Sequence, residues 1–170
     1  ERILYCVHVK GFTASRTSHS SAKGTFRGLA DKALYLKKLG INGVELMPVY
    51  ELRPEALGKI VGEPDGVSAS DREETRRVTE EIAANTPEQP RKENYWNFGE
   101  GCYFAPKSSY ALSDTPQIEF RKMVETLHKN GIEVFLQLYF PDNVTIQTQL
   151  ETVRFYVTHY QIDGFHLKGN

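Results

Sequence analysis

Tyr95, Trp96 and Phe98 sit close together in a segment from Asn94 to Pro106 that is rich in aromatics, asparagine and glycine. The segment lacks a clean period and reads as an ordered loop, and an aromatic cluster on a loop is either a platform for a ligand or local core. His166 and Lys168 place an imidazole and an amine two positions apart. An amine acts as a nucleophile only when a neighbouring base or a desolvated site activates it, and the sequence offers this pair no partner acid. His8, His128 and His159 stand singly within apolar periodic stretches and read as ordinary strand or helix residues. Cys6 and Cys102 have no metal-ligand spacing, so neither a metal site nor a disulfide framework is expected. No cofactor is implied: no G-x-G-x-x-G follows the first strand, and there is no Walker loop.

The elements that must position these groups can be read from periodicity. Ile3 to Val9 is β-branched and aromatic and ends at Lys10-Gly11, which predicts a first, buried strand. Leu29, Ala33 and Leu36 recur at helical spacing and Gly40 follows, so a helix is expected over 28–39 with a glycine at its end. Val44 to Val49 predicts a second strand, with Pro48 where the ladder stops. Thr115-Pro116 opens a helix whose buried stripe is Phe120, Met123, Val124 and Leu127, closed by Gly131. Ile132 to Phe140 is a third strand. Ile146, Leu150, Val153 and Val157 predict a further helical stripe, and Ile162 to Leu167 a fourth strand entered through Asp163-Gly164. Residues 51–93 change to Glu, Arg, Ser, Pro and Gly, the composition of a polar surface insertion; within it Ser70 and Glu73 form a capping box for an exposed helix over 71–84.

Strands alternating with helices imply parallel βαβ units and an α/β fold. A closed eight-stranded barrel takes roughly 250 residues and a doubly wound sheet can be smaller, so periodicity leaves both open. With 170 residues, a net charge of −1 and a pI near 6.6, the chain carries no broad positive field, which argues against nucleic-acid or membrane-surface partners. No apolar run reaches the roughly 18 residues that span a bilayer. The chain starts at Glu1 without methionine and reads as a piece of something longer; its compartment is left open, with the cytoplasm favoured.

Four blocks in order point to a family: Tyr5-Cys6-Val7-His8-Val9-Lys10-Gly11-Phe12-Thr13; Tyr35 to Ile41 running into Val44 to Val49; Asn94 to Phe98 with Tyr103 to Pro106; and Glu119-Phe120 through Leu127-His128, Gly131 to Val134 and Asp163-Gly164-Phe165. They resemble the debranching branch of the α-amylase superfamily (glycoside hydrolase family 13), whose strings read like YExHVRGFT, YLxxLGI–VELMPV, NYWGY–FFAP, EFxxMVxxxHxxGIEV and VDGFRFD. The resemblance spans nearly the whole chain outside residues 51–93. It implies the first about four βα units of a (β/α)8 TIM barrel, with residues 1–170 as the partial barrel, α-glucan as the partner at the C-terminal strand ends, and the remaining half of the barrel as a further partner. It also implies retaining hydrolysis, in which an aspartate at the end of the fourth strand attacks the anomeric carbon and a glutamate of the fifth protonates the leaving oxygen. The chain ends before a fifth strand.

Against that pattern the motif residues have changed. The family string GFRFD falls on Gly164-Phe165-His166-Leu167-Lys168, so Lys168 occupies the nucleophile position and His166 that of its supporting arginine. No catalytic residue is then intact, because an ammonium cannot form a glycosyl ester and opposes an oxocarbenium-like transition state. Asp163 cannot substitute: five residues at about 3.3 Å each put it some 16 Å from Lys168. The string like LDVVFNH falls on Leu136 to Asp142, which leaves Asp142 where the family has the histidine that contacts sugar, and removes an asparagine that helps hold calcium. Phe98 takes the place of a tyrosine that stacks on a sugar ring, with Trp96 and Tyr95 beside it. The expectation is an α-glucan-acting barrel segment that is catalytically impaired, or a non-catalytic module that binds α-glucan or a protein.

Overall fold

β-branched and aromatic runs form the strands, and amphipathic stretches between them form the helices. In chain order the elements are β1 (Leu4–Val7), the one-turn helix α1 (Val9–Phe12), α2 (Phe26–Ala30), α3 (Ala33–Lys38), β2 (Gly43–Leu46), β3 (Tyr50–Leu52), β4 (Gly101–Pro106), α4 (Pro116–Lys129), β5 (Glu133–Tyr139), α5 (Ile146–Tyr160) and β6 (Gly164–Lys168). The structure, a computed structural model, describes residues 1–52 and 94–169; the elements belong to one unit built from residues 1–53 and 95–170. β1, β2, β5 and β6 form a parallel sheet in that order, with Cys6 beside Glu45, Glu45 beside Phe135, and Tyr139 beside Lys168. The α/β class and the parallel sheet are therefore as expected.

One face of the sheet is covered. Val7, Val44, Leu46, Val134, Leu136 and Leu138 point into a core completed by Phe26, Leu29, Ala33 and Leu36 from α2 and α3 and by Phe120, Met123, Val124 and Leu127 from α4. The α4 stripe is the predicted one, with Pro116 in its first turn. The ends of α3 and α4 close in the same way: Gly40 and Gly131 adopt positive φ of 79° and 74°. Ile41 N then donates to Leu36 O at 3.1 Å and Ile132 N to Leu127 O at 3.1 Å, the six-to-one bonds of a Schellman end.

Several expectations are corrected. The single helix over 28–39 is two helices, because after α2 the chain tightens: Lys32 N bonds Leu29 O at 3.0 Å, and Lys32 leaves the helical region at φ −90°, ψ 0°. The loop from Asn94 to Pro106 ends in a strand, since β4 pairs antiparallel with β3 in a separate two-stranded sheet. Its alternation was masked because the outward residue Phe104 is as apolar as the inward Tyr103. Glu51 and Leu52, assigned to the insertion, are β3 residues; the rest of the insertion and the helix over 71–84 lie outside the described residues. On α5 the buried residues are Thr152, Tyr156 and Tyr160, while Ile146, Leu150 and Val157 are exposed. The tyrosines prevail because their rings reach Phe120 edge-on, at 6.1 Å and 4.8 Å between centroids.

The N-terminal end of the sheet is tied by Asp163. Its Oδ2 accepts a 2.7 Å hydrogen bond from Val134 N and lies 2.8 Å from His128 Nε2, so Asp163 is structural, as the strand-length argument requires. Asp163→Ala leaves the Val134 N–H without its acceptor and is expected to cost about 1–3 kcal/mol in urea denaturation, whereas Asp163→Asn retains an acceptor and costs less.

Gly28 is buried in α2 within contact of another backbone: a Cβ there would lie 2.1 Å from Ala22 O and 3.1 Å from Thr13 Oγ1. Alanine improves helix propensity by about 1 kcal/mol, but the clash is with backbone that Thr25 Oγ1 holds by donating to Ala22 O at 2.8 Å. Overpacking, about 1–3 kcal/mol, outweighs propensity, so Gly28→Ala is expected to lower the denaturation midpoint.

His8 caps α1. Its Nδ1 accepts from Gly11 N at 3.0 Å, which puts the proton of the neutral ring on Nε2, 3.1 Å from the Tyr110 hydroxyl. Burial pushes the imidazole below its ordinary pKa, with the charges of Lys10 and Lys107 adding to it and a backbone hydrogen bond at Tyr95 opposing. A depressed folded pKa means that the unfolded chain takes up the proton first as pH falls below about 6.5. Stability from His8 is therefore present above that pH and lost on acidification through the folded pKa. Urea midpoints at pH 7.5 and 5.5 are expected to differ less in His8→Asn than in the parent.

Candidate functional site

The second face of the sheet has no helix on it among the described residues. Register and the two-residue alternation place Leu4 and Cys6 of β1, Glu45 of β2, Phe135, Gln137 and Tyr139 of β5, and His166 and Lys168 of β6 on this open face. Glu45, Gln137, His166 and Lys168 are polar or charged, as is Glu133 at the start of β5, whereas the strands' other side is apolar and aromatic. The face is the natural place to look for a site, and its upper rim is the C-terminal end of the strands.

Its central polar feature is Glu45. Glu45 Oε1 lies 2.8 Å from His166 Nδ1 and accepts a short hydrogen bond from Gln137 Nε2. Burial alone would raise the Glu45 carboxyl; the bonds from Gln137 and His166, with the positive charges of His166 and Lys168, outweigh it and hold the group below the usual carboxylate range. Cys6 Sγ is 3.5 Å from Gln137 Nε2. Burial and the negative charge of Glu45 raise this thiol despite Lys168 and Gln137, so Cys6 is poorly suited to supply a thiolate nucleophile. Gln137 is 4% exposed, and its Oε1 has no hydrogen-bond partner among the described residues.

At the rim stands Lys168. Its Nζ lies 4.8 Å from the centroid of the Phe98 ring, and that ring meets Tyr139 edge-on at 6.4 Å. The structure therefore brings Lys168 and Phe98 together. Tyr95 and Trp96 go elsewhere: their rings lie 4.4 Å and 5.6 Å from His8, beyond the end of β1. The aromatic cluster read as one platform is thus two groups. Asn97 separates them, adopting positive φ of 61°, a conformation asparagine tolerates better than most residues. Its fully buried amide donates to Pro48 O at 3.1 Å and Tyr50 O at 2.7 Å and accepts from Lys107 Nζ at 2.6 Å.

The β3–β4 sheet is fastened to the same rim. Tyr50 and Tyr103 donate their hydroxyls to Tyr139 O, at 3.3 Å and 3.1 Å. Asp142 is exposed in the turn after β5; its neighbour Asn143 bridges this region, with Nδ2 donating to Glu100 Oε2 at 3.0 Å. Of the residues singled out by sequence, Lys168, His166 and Phe98 share the open face or its rim, and Tyr95, Trp96 and Asp142 stand apart from Lys168. Glu45, Gln137 and Asn97 were missed. The signal for the first two is a polar residue in the middle of an apolar strand, and it can be read once the strand is known to have an open side. Among the described residues no group of three or more His, Cys, Asp or Glu could hold a metal ion, and no helix is long and apolar enough to cross a membrane.

Chemically, the face offers an anchored carboxylate and an imidazole below, and an ammonium over an aromatic ring above. In register the Glu45 backbone lies level with Gly164, but its carboxylate reaches His166 and Gln137, two residues below Lys168 on β6 and Tyr139 on β5. The carboxylate is committed to those two partners and meets Lys168 only through its field.

No protein-family profile matches the chain. It is 30% identical over 142 residues to the isoamylase of Pseudomonas amyloderamosa, covering 81% of this chain and 15% of that protein, and 32% identical over 145 residues to the glycogen operon protein GlgX homolog of Haemophilus influenzae, covering 82% and 17%. Among solved structures, the pullulanase type I of Bacillus subtilis in complex with maltose superposes with a TM-score of 0.66 at 18% identity, over 98% of this chain and 27% of that one. The pneumococcal glycogen-degrading protein SpuA gives 0.67 at 17%, over 98% and 19%. The chain thus spans about a sixth of the length of these curated relatives. Sequence and fold together identify it as a relative of the glycoside hydrolase family 13 debranching enzymes, corresponding to a fragment of them.

Proposed function

We propose that the chain is the first part of a (β/α)8 barrel that holds α-glucan at the C-terminal ends of its strands and does not cleave it as it stands. The observation that carries this reading is Lys168. It ends β6 on the open face, where the family resemblance puts the nucleophile, and its ammonium is packed over Phe98.

A retaining mechanism needs a carboxylate there, to attack the anomeric carbon and balance the positive charge that develops on the sugar. Lys168 does neither. The other candidates on this face fail for separate reasons. Glu45 is committed to His166 and Gln137, two residues below the rim. Burial and the charge of Glu45 raise the Cys6 thiol, which disfavours the thiolate. Asp163 is engaged at the opposite end of β6. What the rim retains is recognition: Phe98 and Tyr139 offer apolar ring surface to the apolar face of a glucose unit, with Asp142 in the adjacent turn, while Tyr95 and Trp96 form a second aromatic patch above β1.

A partner for the sheet edges belongs to the same proposal. Ile3, Leu4 and Tyr5 are more than two-fifths exposed on the β1 side and Leu167 is 53% exposed on β6. A remaining half-barrel would cover these residues and pair both edges. Bound sugar would then occupy a cleft between two halves, and residues 53–93 would be an insertion on one of them. The alternative of a purely protein-binding module draws on the same exposed edges.

Two measurements test the reading. Purified protein is expected to release no reducing ends from glycogen, pullulan or maltooligosaccharides, with Lys168→Ala behaving identically; turnover that survives purification and falls in the variant would overturn the assignment. Phe98→Ala is expected to weaken retention on immobilised glycogen about fivefold, the equivalent of roughly 1 kcal/mol for one stacked ring, and unchanged retention would remove Phe98 from the sugar contact.

A further inference from the structure

The residue that prevents hydrolysis also changes what the rim can bind. Lys168 is half-buried, one side of its ammonium is covered by Phe98, and its Nζ forms no ion pair or hydrogen bond among the described residues. The carboxylate whose field it shares, Glu45, already accepts from His166 and Gln137 and belongs to a lower level of the strand. Glu100, in the segment that carries Phe98, accepts from Asn143. The Nζ protons on the side away from Phe98 are therefore uncommitted donors on a cation partly withdrawn from water, next to the ring surface of Phe98 and Tyr139. A charge in that situation gains more from an anionic partner than an exposed lysine does, because less hydration is lost on pairing and screening is weaker.

We propose that the Lys168–Phe98 rim selects an anionic saccharide: a sugar unit bearing a phosphate ester or a carboxylate, its ring face against Phe98 and its anion on Lys168 Nζ. The proposal rests on the reading of this rim as a saccharide site and names the class of unit that it prefers. A position that in the hydrolase resemblance attacks a neutral ring becomes a charge-selective contact, with no covalent step. The cation–π contact supports this use: the ring holds the ammonium in place at the rim, so less side-chain freedom is lost when an anion binds.

The test is calorimetric titration of the protein with maltotriose, with maltotriose carrying a 6-phosphate, and with maltotriose carrying a terminal glucuronate, for the parent, Lys168→Gln and Lys168→Arg. At low salt at least one anionic ligand is expected to bind tenfold or more tightly than maltotriose, with the advantage lost in Lys168→Gln, kept in Lys168→Arg, and shrinking as salt is added. A preference confined to the phosphorylated or to the uronate ligand supports the proposal and identifies the anion. Equal affinities in the parent, no binding of any ligand, or a preference that persists in Lys168→Gln would each overturn it. Maltotriose binding that falls in Phe98→Ala reports on the glucan reading separately, so charge selection can fail while that reading stands.

Discussion

A parallel sheet satisfies its backbone between strands and must cover two apolar faces, and in this chain α2, α3, α4 and α5 cover only one. That constraint explains where the polar residues are. On the covered side the strands carry valine and leucine, with Tyr5 and Phe165 at the two outer strands. On the other they carry Cys6, Glu45, Gln137, His166 and Lys168, with Phe135 and Leu4 lower down. The pattern suits a sheet that curls toward a shared interior in which side chains must satisfy one another. Glu45 shows the logic. A single carboxylate gathers a donor from β5 and another from β6, and so links three strands on the side that carries no helix among the described residues. Its depressed pKa follows from these donors; burial alone would have moved it the other way.

The rim depends on a second device, the buried amide of Asn97. By satisfying two carbonyls of the segment after β2 and the ammonium of Lys107, Asn97 fixes the point at which the chain turns over. The residues on either side then diverge. Tyr95 and Trp96 pack toward His8, and Phe98 packs toward Tyr139 and Lys168. An apolar side chain could not replace Asn97 without leaving those carbonyls unpaired in the interior, and most residues resist its positive φ. The tyrosine hydroxyls on Tyr139 O fasten the β3–β4 sheet to the end of β5, so the aromatic loop is held at both ends.

The strands and α4 were legible in the sequence because their signals are local: β-branched runs, a proline in the first turn, and glycines where positive φ closes a helix. The places that misled are those where tertiary packing overrides a local pattern. On α5 the Ile146, Leu150, Val153, Val157 stripe is as apolar as a buried face, yet only Val153 packs against the core, and Tyr156 and Tyr160 take the interior because Phe120 offers their rings edge-on partners. On β4 the alternation was hidden by aromatics on both sides. The site was partly legible. Lys168, His166 and Phe98 came from motif positions and do lie on one face or its rim, whereas Glu45 and Gln137 have meaning only once register places them beside His166. Asn97 could not be read at all, because its role is made of hydrogen bonds to Pro48 and Tyr50, nearly fifty residues earlier in the chain.

On the proposed reading, Lys168 stands at a strand end whose chemistry it does not perform. In a retaining site the strand-end carboxylate is held for two reasons, to form a bond and to meet a developing positive charge. Placing an ammonium there abolishes both and leaves an uncompensated cation at the rim of the face. Phe98 meets part of that need, since the face of an aromatic ring attracts a cation without requiring a carboxylate. His166, which the family resemblance puts at the supporting-arginine position, turns down to Glu45. The two substitutions are therefore consistent with each other: once no carboxylate needs orienting above, the residue below is free to join the three-strand carboxylate link. The upper level is left to an aromatic ring and a positive charge, an arrangement suited to holding a ligand without breaking it.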